Sequence, residues 1–122
     1  FAPYFLKVRE IIDSGALGRI VLVKISFSGF ARRWDWQTLQ DRGGGSLLNT
    51  GPHPMDQALQ LIGTDAMPRV FCLMDRAVTW GDAEDHVKVV LSRTGRPTID
   101  LEISSCNPYN LFTYQVSGSK AA

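Results

Sequence analysis

Apolar residues recur along this chain with two different periods, and the changes of period divide it into elements. Phe1, Phe5, Val8 and Ile12 fall at helical spacing, with Ile11 beside them, and predict a helix over Pro3 to Ser14. Pro3 suits a first helical turn and Gly15 the left-handed residue that closes one. In RIVLVKISFSGF the period becomes two: Val21, Val23, Ile25 and Phe27 share one face, and Lys24, Ser26 and Ser28 the other, as in a half-buried strand. A long loop from Gly29 to Gly45 follows, and loops of that length in compact domains are often binding loops. Helical spacing returns with Leu48, Met55, Leu59 and Ile62, closed by Gly63.

The second half reads as strands. Pro68 to Thr79 forms one, and Trp80-Gly81-Asp82 a turn. Val87, Val89 and Leu91 alternate with His86, Lys88 and Ser92; after Thr94-Gly95-Arg96-Pro97, Ile99, Leu101 and Ile103 alternate with Asp100, Glu102 and Ser104. That is a hairpin with one apolar face and cross-strand charges on the other. Leu111 to Val116 reads as a last strand. The order helix, strand, loop, helix and four strands predicts an α+β fold, a mainly antiparallel sheet with helices on one face, and one domain over residues 1–122. Phe1 enters the first helical pattern at once, and the chain stops just after a strand-like run, so a piece of a longer protein is expected.

Composition narrows the function classes. Hydrophobic residues at 44% and charged residues at 20% are ordinary for a globular domain. A net charge of +1 gives no electrostatic reason to expect nucleic acid or an anionic membrane as partner. No apolar run approaches the roughly 18 residues of a membrane span. Cys72 and Cys106 lie far apart without a CxxC or Cys/His pattern, so buried free thiols in a reducing, cytoplasmic setting are expected rather than a zinc site.

Candidate chemistry concentrates in GGGSLLNTGPHPMDQALQLIG, Gly43 to Gly63. Asn49, His53, Asp56 and Gln60 recur at intervals of four, three and four, which aligns them as one stripe of a helix. The stripe is either a solvated face or the wall of a reaction site. Lys, Arg and Glu, the usual residues of a solvated face, are absent; an imidazole and a carboxylate, groups suited to proton transfer, take their place. Pro52 and Pro54 require that the helix either kinks or starts afresh near Pro52 with Thr50 as its cap.

Other readings of the same residues are incomplete. Ser46, His53 and Asp56 carry the letters of a hydrolase triad but lack the surrounding GxSxG, and His53 with Asp56 lacks a third metal ligand. The three glycines match neither GxGxxG nor GxxxxGK[ST], so the chain carries no nucleotide fingerprint. ARRWDW, Ala31 to Trp36, pairs cations with aromatic rings as single-strand binders do, but it is one isolated patch in a nearly neutral chain.

GGGSLLNTGPHPMDQAL resembles the GGGxLxDxGxHxxD signature of the glucose–fructose oxidoreductase / inositol dehydrogenase (Gfo/Idh/MocA) family. IIDSGALGRI, Ile11 to Ile20, is similar to the segment that opens that family's C-terminal domain, and GDAEDHVKV and Trp34 in its arginine-rich loop fit as well. The resemblance implies the substrate-binding and oligomerisation domain of an oxidoreductase acting on sugars, cyclitols or related polyols. NAD or NADP would be held mainly by a Rossmann domain that this chain does not contain, so the fragment alone is expected to be inactive. By position His53 is the residue that exchanges the hydroxyl proton, with Asn49 where many members carry aspartate; an amide can orient a hydroxyl but cannot take its proton. Arg33, Trp34, Asp35 and Asp56 are implied substrate-side residues, Asp56 more in a structural role, and Gly44 and Gly45 let the turn approach the cofactor. A homo-oligomer through the sheet is implied too. The alternative is a non-catalytic binding or assembly domain of the same fold, in which Asn49 marks lost chemistry.

Overall fold

The computed structural model describes residues 3–29, 35 and 38–122. Phe1, Arg32, Arg33, Trp34 and Trp36, each singled out above, lie outside the described residues. The elements run α1 (Pro3–Asp13), β1 (Ile20–Ser28), a short 3-10 turn (Gln40–Arg42), α2 (Ser46–Asn49), α3 (Pro52–Ile62), β2 (Arg69–Asp75), β3 (His86–Ser92), β4 (Thr98–Ser104) and β5 (Tyr114–Gly118). Among the described residues no helix is long and apolar enough to cross a membrane.

The strands form one five-stranded sheet in the order β2-β3-β4-β1-β5. β1 pairs parallel to β4, with Ile25 opposite Leu101, and every other pairing is antiparallel. The sheet is thus mixed but mostly antiparallel, and the α+β expectation holds. Its alternation is the one the sequence displays. Val23, Ile25, Val87, Val89, Leu91, Ile99, Leu101 and Ile103 are buried on one face and pack with Ala58 and Ile62 of α3. Removing that many branched side chains from water is what chiefly holds helix to sheet. The opposite face carries Lys88, whose ammonium lies 2.8 Å from the Asp100 carboxylate, a partly exposed pair worth little to stability.

Several expectations are corrected. The helical segment from Gly45 to Gly63 is two helices: Gly51, itself in the right-handed helical region and without a side-chain cap, precedes Pro52, so the second helix starts afresh and Thr50 is not its cap. A side chain on Gly51 would collide with the Leu47 carbonyl, which is how the chain turns so tightly. Because of that break Leu48 leaves the apolar face and is 64% exposed, while Leu47 packs against the core. Cys72 is exposed rather than buried, because it lies on β2 at the sheet's edge, where no helix of the described residues covers it; Cys106 is half-buried, and both are free thiols. Val21 is exposed because the pairing of β1 with β5 is irregular between Ile20 and Leu22. The last strand begins at Tyr114, not Leu111, which is almost fully exposed, and β2 stops at Asp75, well short of Thr79.

Candidate functional site

The polar series from Asn49 to Gln60 is split by the break at Gly51. Asn49 is the last residue of α2, and His53 lies in the first turn of α3. α2 is short, and its first residues depend on another part of the chain. Glu84, in the loop before β3, accepts the Ser46 amide through its carbonyl (3.0 Å) and the Leu47 amide through its carboxylate (3.0 Å). Gly45, the N-cap of α2, has φ 106° and offers no side chain to do this itself. The carboxylate takes the place of a capping side chain at the positive end of the helix. The pattern of the sequence does not assign this use to Glu84, although the residue lies within the family-like tract GDAEDHVKV.

Gly44 and Gly45 are both buried. Gly44 donates its amide to the Leu39 carbonyl at 2.9 Å, and a Cβ on Gly45 would lie 2.5 Å from Glu84 Oε2. The Ser46 and Leu47 amides that follow this glycine turn are engaged by Glu84, whose carboxylate stands where an anion would approach.

His53 is exposed, and no hydrogen bond or ion pair engages its ring among the described residues. Asn49 is also exposed and has an interaction partner. Asp56 faces solvent but is engaged: it accepts from Gln60 Nε2 at 2.9 Å, and Gln60 Oε1 accepts from Arg9 of α1 at 3.0 Å. Asp56 and Gln60 therefore help tie α3 to α1. Asp35 is exposed, and its carbonyl accepts from both the amide and the hydroxyl of Thr38.

Beside the α2–α3 junction an open cleft of about 410 Å³ is lined by Tyr4, Ser26, Phe27, Ser28, Thr50 and Asn110, with Thr113. Its hydroxyls and amide are organised: Ser26 Oγ donates to Asn110 Oδ1 at 2.7 Å and lies 3.1 Å from Ser28 Oγ. Sequence reading did not single out Ser26, Ser28 or Asn110 as site residues, since they meet only when β1 is set beside the loop leading into β5. Below the cleft, Tyr114 donates to the buried Gln57 Oε1 at 2.6 Å, and burial raises the phenol's pKa. Among the described residues no cluster of three or more His, Cys, Asp or Glu is arranged to hold a metal ion.

The loop that carries Glu84 is itself fixed by Asp85. The Asp85 carboxylate accepts the amides of Ala77, Val78 and Thr79 at 2.7–2.8 Å. Burial by itself would raise the pKa of this group, but the three amides outweigh it and hold the carboxyl below the usual carboxylate range.

Residues 5–122 match the profile of the GFO/IDH/MocA C-terminal domain. The chain belongs to that family. It is 28% identical over 106 residues to an uncharacterized oxidoreductase of Schizosaccharomyces pombe, an alignment covering 83% of this chain and 29% of that protein. A solved Bacteroides fragilis structure assigned as an oxidoreductase superposes with a TM-score of 0.78 at 27% identity, over 95% of this chain and 32% of that one. The WlbA dehydrogenase of Bordetella pertussis, solved with NADH and UDP-GlcNAcA, shares the fold with a TM-score of 0.73 at 20% identity, over 93% of this chain and 37% of that one. The chain therefore spans about a third of the length of these relatives.

Proposed function

We propose that this chain is the substrate-binding domain of an NAD(P)-dependent oxidoreductase acting on a hydroxyl of a sugar, cyclitol or related polyol, with a Rossmann domain elsewhere in the polypeptide holding most of the dinucleotide. The observation that carries the reading is His53: an exposed imidazole on the first turn of α3, unengaged among the described residues, in a chain that belongs to the GFO/IDH/MocA family. A nicotinamide cofactor supplies the hydride acceptor or donor. The chain's own residues handle the proton and the substrate.

In this reading His53 takes the hydroxyl proton as the carbon is oxidised and returns it in reduction, which requires the ring within about 3 Å of that oxygen. Asn49 orients the hydroxyl or the imidazole. Asp35, with Arg33 and Trp34 beside it in sequence, supplies substrate contacts, and Asp56 keeps α3 in place through Gln60 and Arg9. The cleft with Ser26, Ser28, Thr50 and Asn110 offers neutral donors and acceptors suited to a polyhydroxy ligand. A relative of the same fold holds a sugar nucleotide beside NADH, which favours the sugar class. Gly44 and Gly45 contribute close backbone packing near the cofactor, not phosphate binding, because Glu84 occupies the adjacent amides. We also propose a cytoplasmic setting and a homo-oligomer formed through the sheet.

A second reading, a non-catalytic binding or assembly domain, is favoured by one observation: Asn49 stands where the family signature has aspartate. The two separate in the complete natural polypeptide. On the enzymatic reading, His53→Ala lowers kcat roughly 10²–10⁴-fold while thermal stability and dinucleotide affinity stay nearly unchanged. If turnover is intact in His53→Ala, or the complete polypeptide turns over no polyol or sugar with NAD(P), the catalytic assignment fails.

A further inference from the structure

β2 is the least protected element of the fold. All seven of its residues are exposed, and Val70, Phe71, Leu73 and Met74 are each 56–61% open to solvent. Val70, Cys72 and Met74 stand opposite Leu91, Val89 and Val87, which the helices bury, yet the helical layer stops short of β2 itself. Phe71 and Leu73 emerge on the other face, opposite Val90 and Lys88. Because β2 ends the sheet order, the outer row of its backbone amides and carbonyls has no strand of the described residues beside it. Soluble proteins blunt such edges with charges, proline or bulges. The central VFCLM of β2 has no charge or proline, and its pairing with β3 runs without a register shift.

The sequence of this edge, RVFCLMD, is complementary to itself. Laid antiparallel on a second copy about Cys72, Arg69 meets Asp75, Val70 meets Met74, Phe71 meets Leu73, and Cys72 meets its twin. Residues opposite one another in an antiparallel pair point to the same face. Val70, Cys72 and Met74 therefore remain on the helical side, and Arg69, Phe71, Leu73 and Asp75 on the other. Moving the centre by one residue in either direction removes both ion pairs. Two bare strands would then lie between the β3 strands of the copies, which stand three strand spacings, about 14 Å, apart across the seam.

We propose that β2 is the seam of a two-fold homodimer, in which two five-stranded sheets join edge to edge through antiparallel β2–β2 pairing centred on Cys72. The contact is isologous, so each apolar pair and each Arg69–Asp75 ion pair occurs twice. This deepens the sheet-mediated assembly proposed above by naming the edge and its register, and it does not depend on the chemistry at His53.

The test uses the complete natural polypeptide, read by sedimentation velocity and by cross-linking with a short bismaleimide. Opposed residues in an antiparallel pair lie about 4.5–5.5 Å apart, so the two Cys72 thiols are within its span. The expected result is a dimer that cross-links through Cys72 and not in Cys72→Ser. Arg69→Asp and Asp75→Arg each weaken the dimer by about tenfold by opposing like charges, and the double variant recovers it. Circular dichroism confirms that each variant is folded; if a single variant unfolds, the Cys72 cross-link in the parent protein still decides. A monomer, a dimer without the Cys72 cross-link, or a folded double variant that does not recover would overturn the proposal. A dimer indifferent to both charge reversals but broken by Val90→Lys would mean assembly through the open sheet face: the edge seam then fails and the broader oligomer reading survives.

Discussion

The Glu84 carboxylate accepts the Leu47 amide at 3.0 Å and fills the space that a side chain on Gly45 would need. One interaction thus sets both the start of α2, the helix that ends at Asn49, and the residue type before it. Glu84→Ala is expected to destabilise the domain by about 0.5–2 kcal/mol, the usual cost of a lost cap. Gly45→Ala should cost roughly 2–4 kcal/mol, since it adds a strained positive φ to an overpacked contact. Urea unfolding monitored by tryptophan fluorescence measures both. A Gly45→Ala protein as stable as its parent would mean that Glu84 does not sit where described.

Asp85 gives the fold an acid-sensitive anchor. Its folded pKa lies below its unfolded one, so the stability it contributes is present above the unfolded value, near about 4, and is lost as pH falls through the folded value. Asp65, lowered by its hydrogen bond from Arg93, acts in the same direction from an exposed position. Asp85→Asn should lower stability at neutral pH and flatten, without abolishing, the loss below about pH 4. Urea midpoints from pH 7 to pH 2.5 check this, and an unchanged slope would remove Asp85 from the account.

Half-buried Tyr114 and buried Gln57 form a polar pair between β5 and α3. Tyr114→Phe leaves the Gln57 carbonyl oxygen without its donor and should cost about 1–3 kcal/mol. Adding Gln57→Leu replaces the orphaned group with an apolar one and should recover much of that loss. Strictly additive effects in the double variant, measured by thermal or urea unfolding, would show that the pair is not coupled.

Asn49→Asp tests the family position directly in the complete polypeptide. A carboxylate introduced close to an imidazole favours its protonated form. On the proposed reading, in which unprotonated His53 is the base, the acidic limb of the kcat/KM profile for oxidation should move to higher pH. A profile identical to the parent's would place Asn49 out of reach of His53.

The 122-residue chain by itself should bind NAD(H) or NADP(H) weakly if at all, because Glu84 engages the Ser46 and Leu47 amides that follow its glycine turn. Isothermal titration reads this. Micromolar binding to these residues alone would contradict the assignment of the dinucleotide to another domain.

Much of the fold was legible along the chain because it rests on local periods. Alternation in β3 and β4 named Val87, Val89, Leu91, Ile99, Leu101 and Ile103 as inward residues before any pairing was known, and all six are buried. Helical spacing likewise identified Phe5 and Ile62. Periodicity cannot report on neighbours supplied by distant segments. The parallel pairing of β1 with β4, the exposure of every residue of β2, the Glu84 cap on α2 and the meeting of Ser26 with Asn110 depend on which strand lies beside which. Cys72 and Leu48 show the limit most plainly. Both sit in patterns that read as buried, and both are exposed, one because its strand ends the sheet and the other because Gly51 breaks the helix that would have turned it inward. The sequence by itself determined the elements and the inward faces of the hairpin, since those follow from spacing. Tertiary structure alone decided which apolar residues remain uncovered and which carboxylate caps the helix that carries Asn49, since both arise where separate stretches of chain meet.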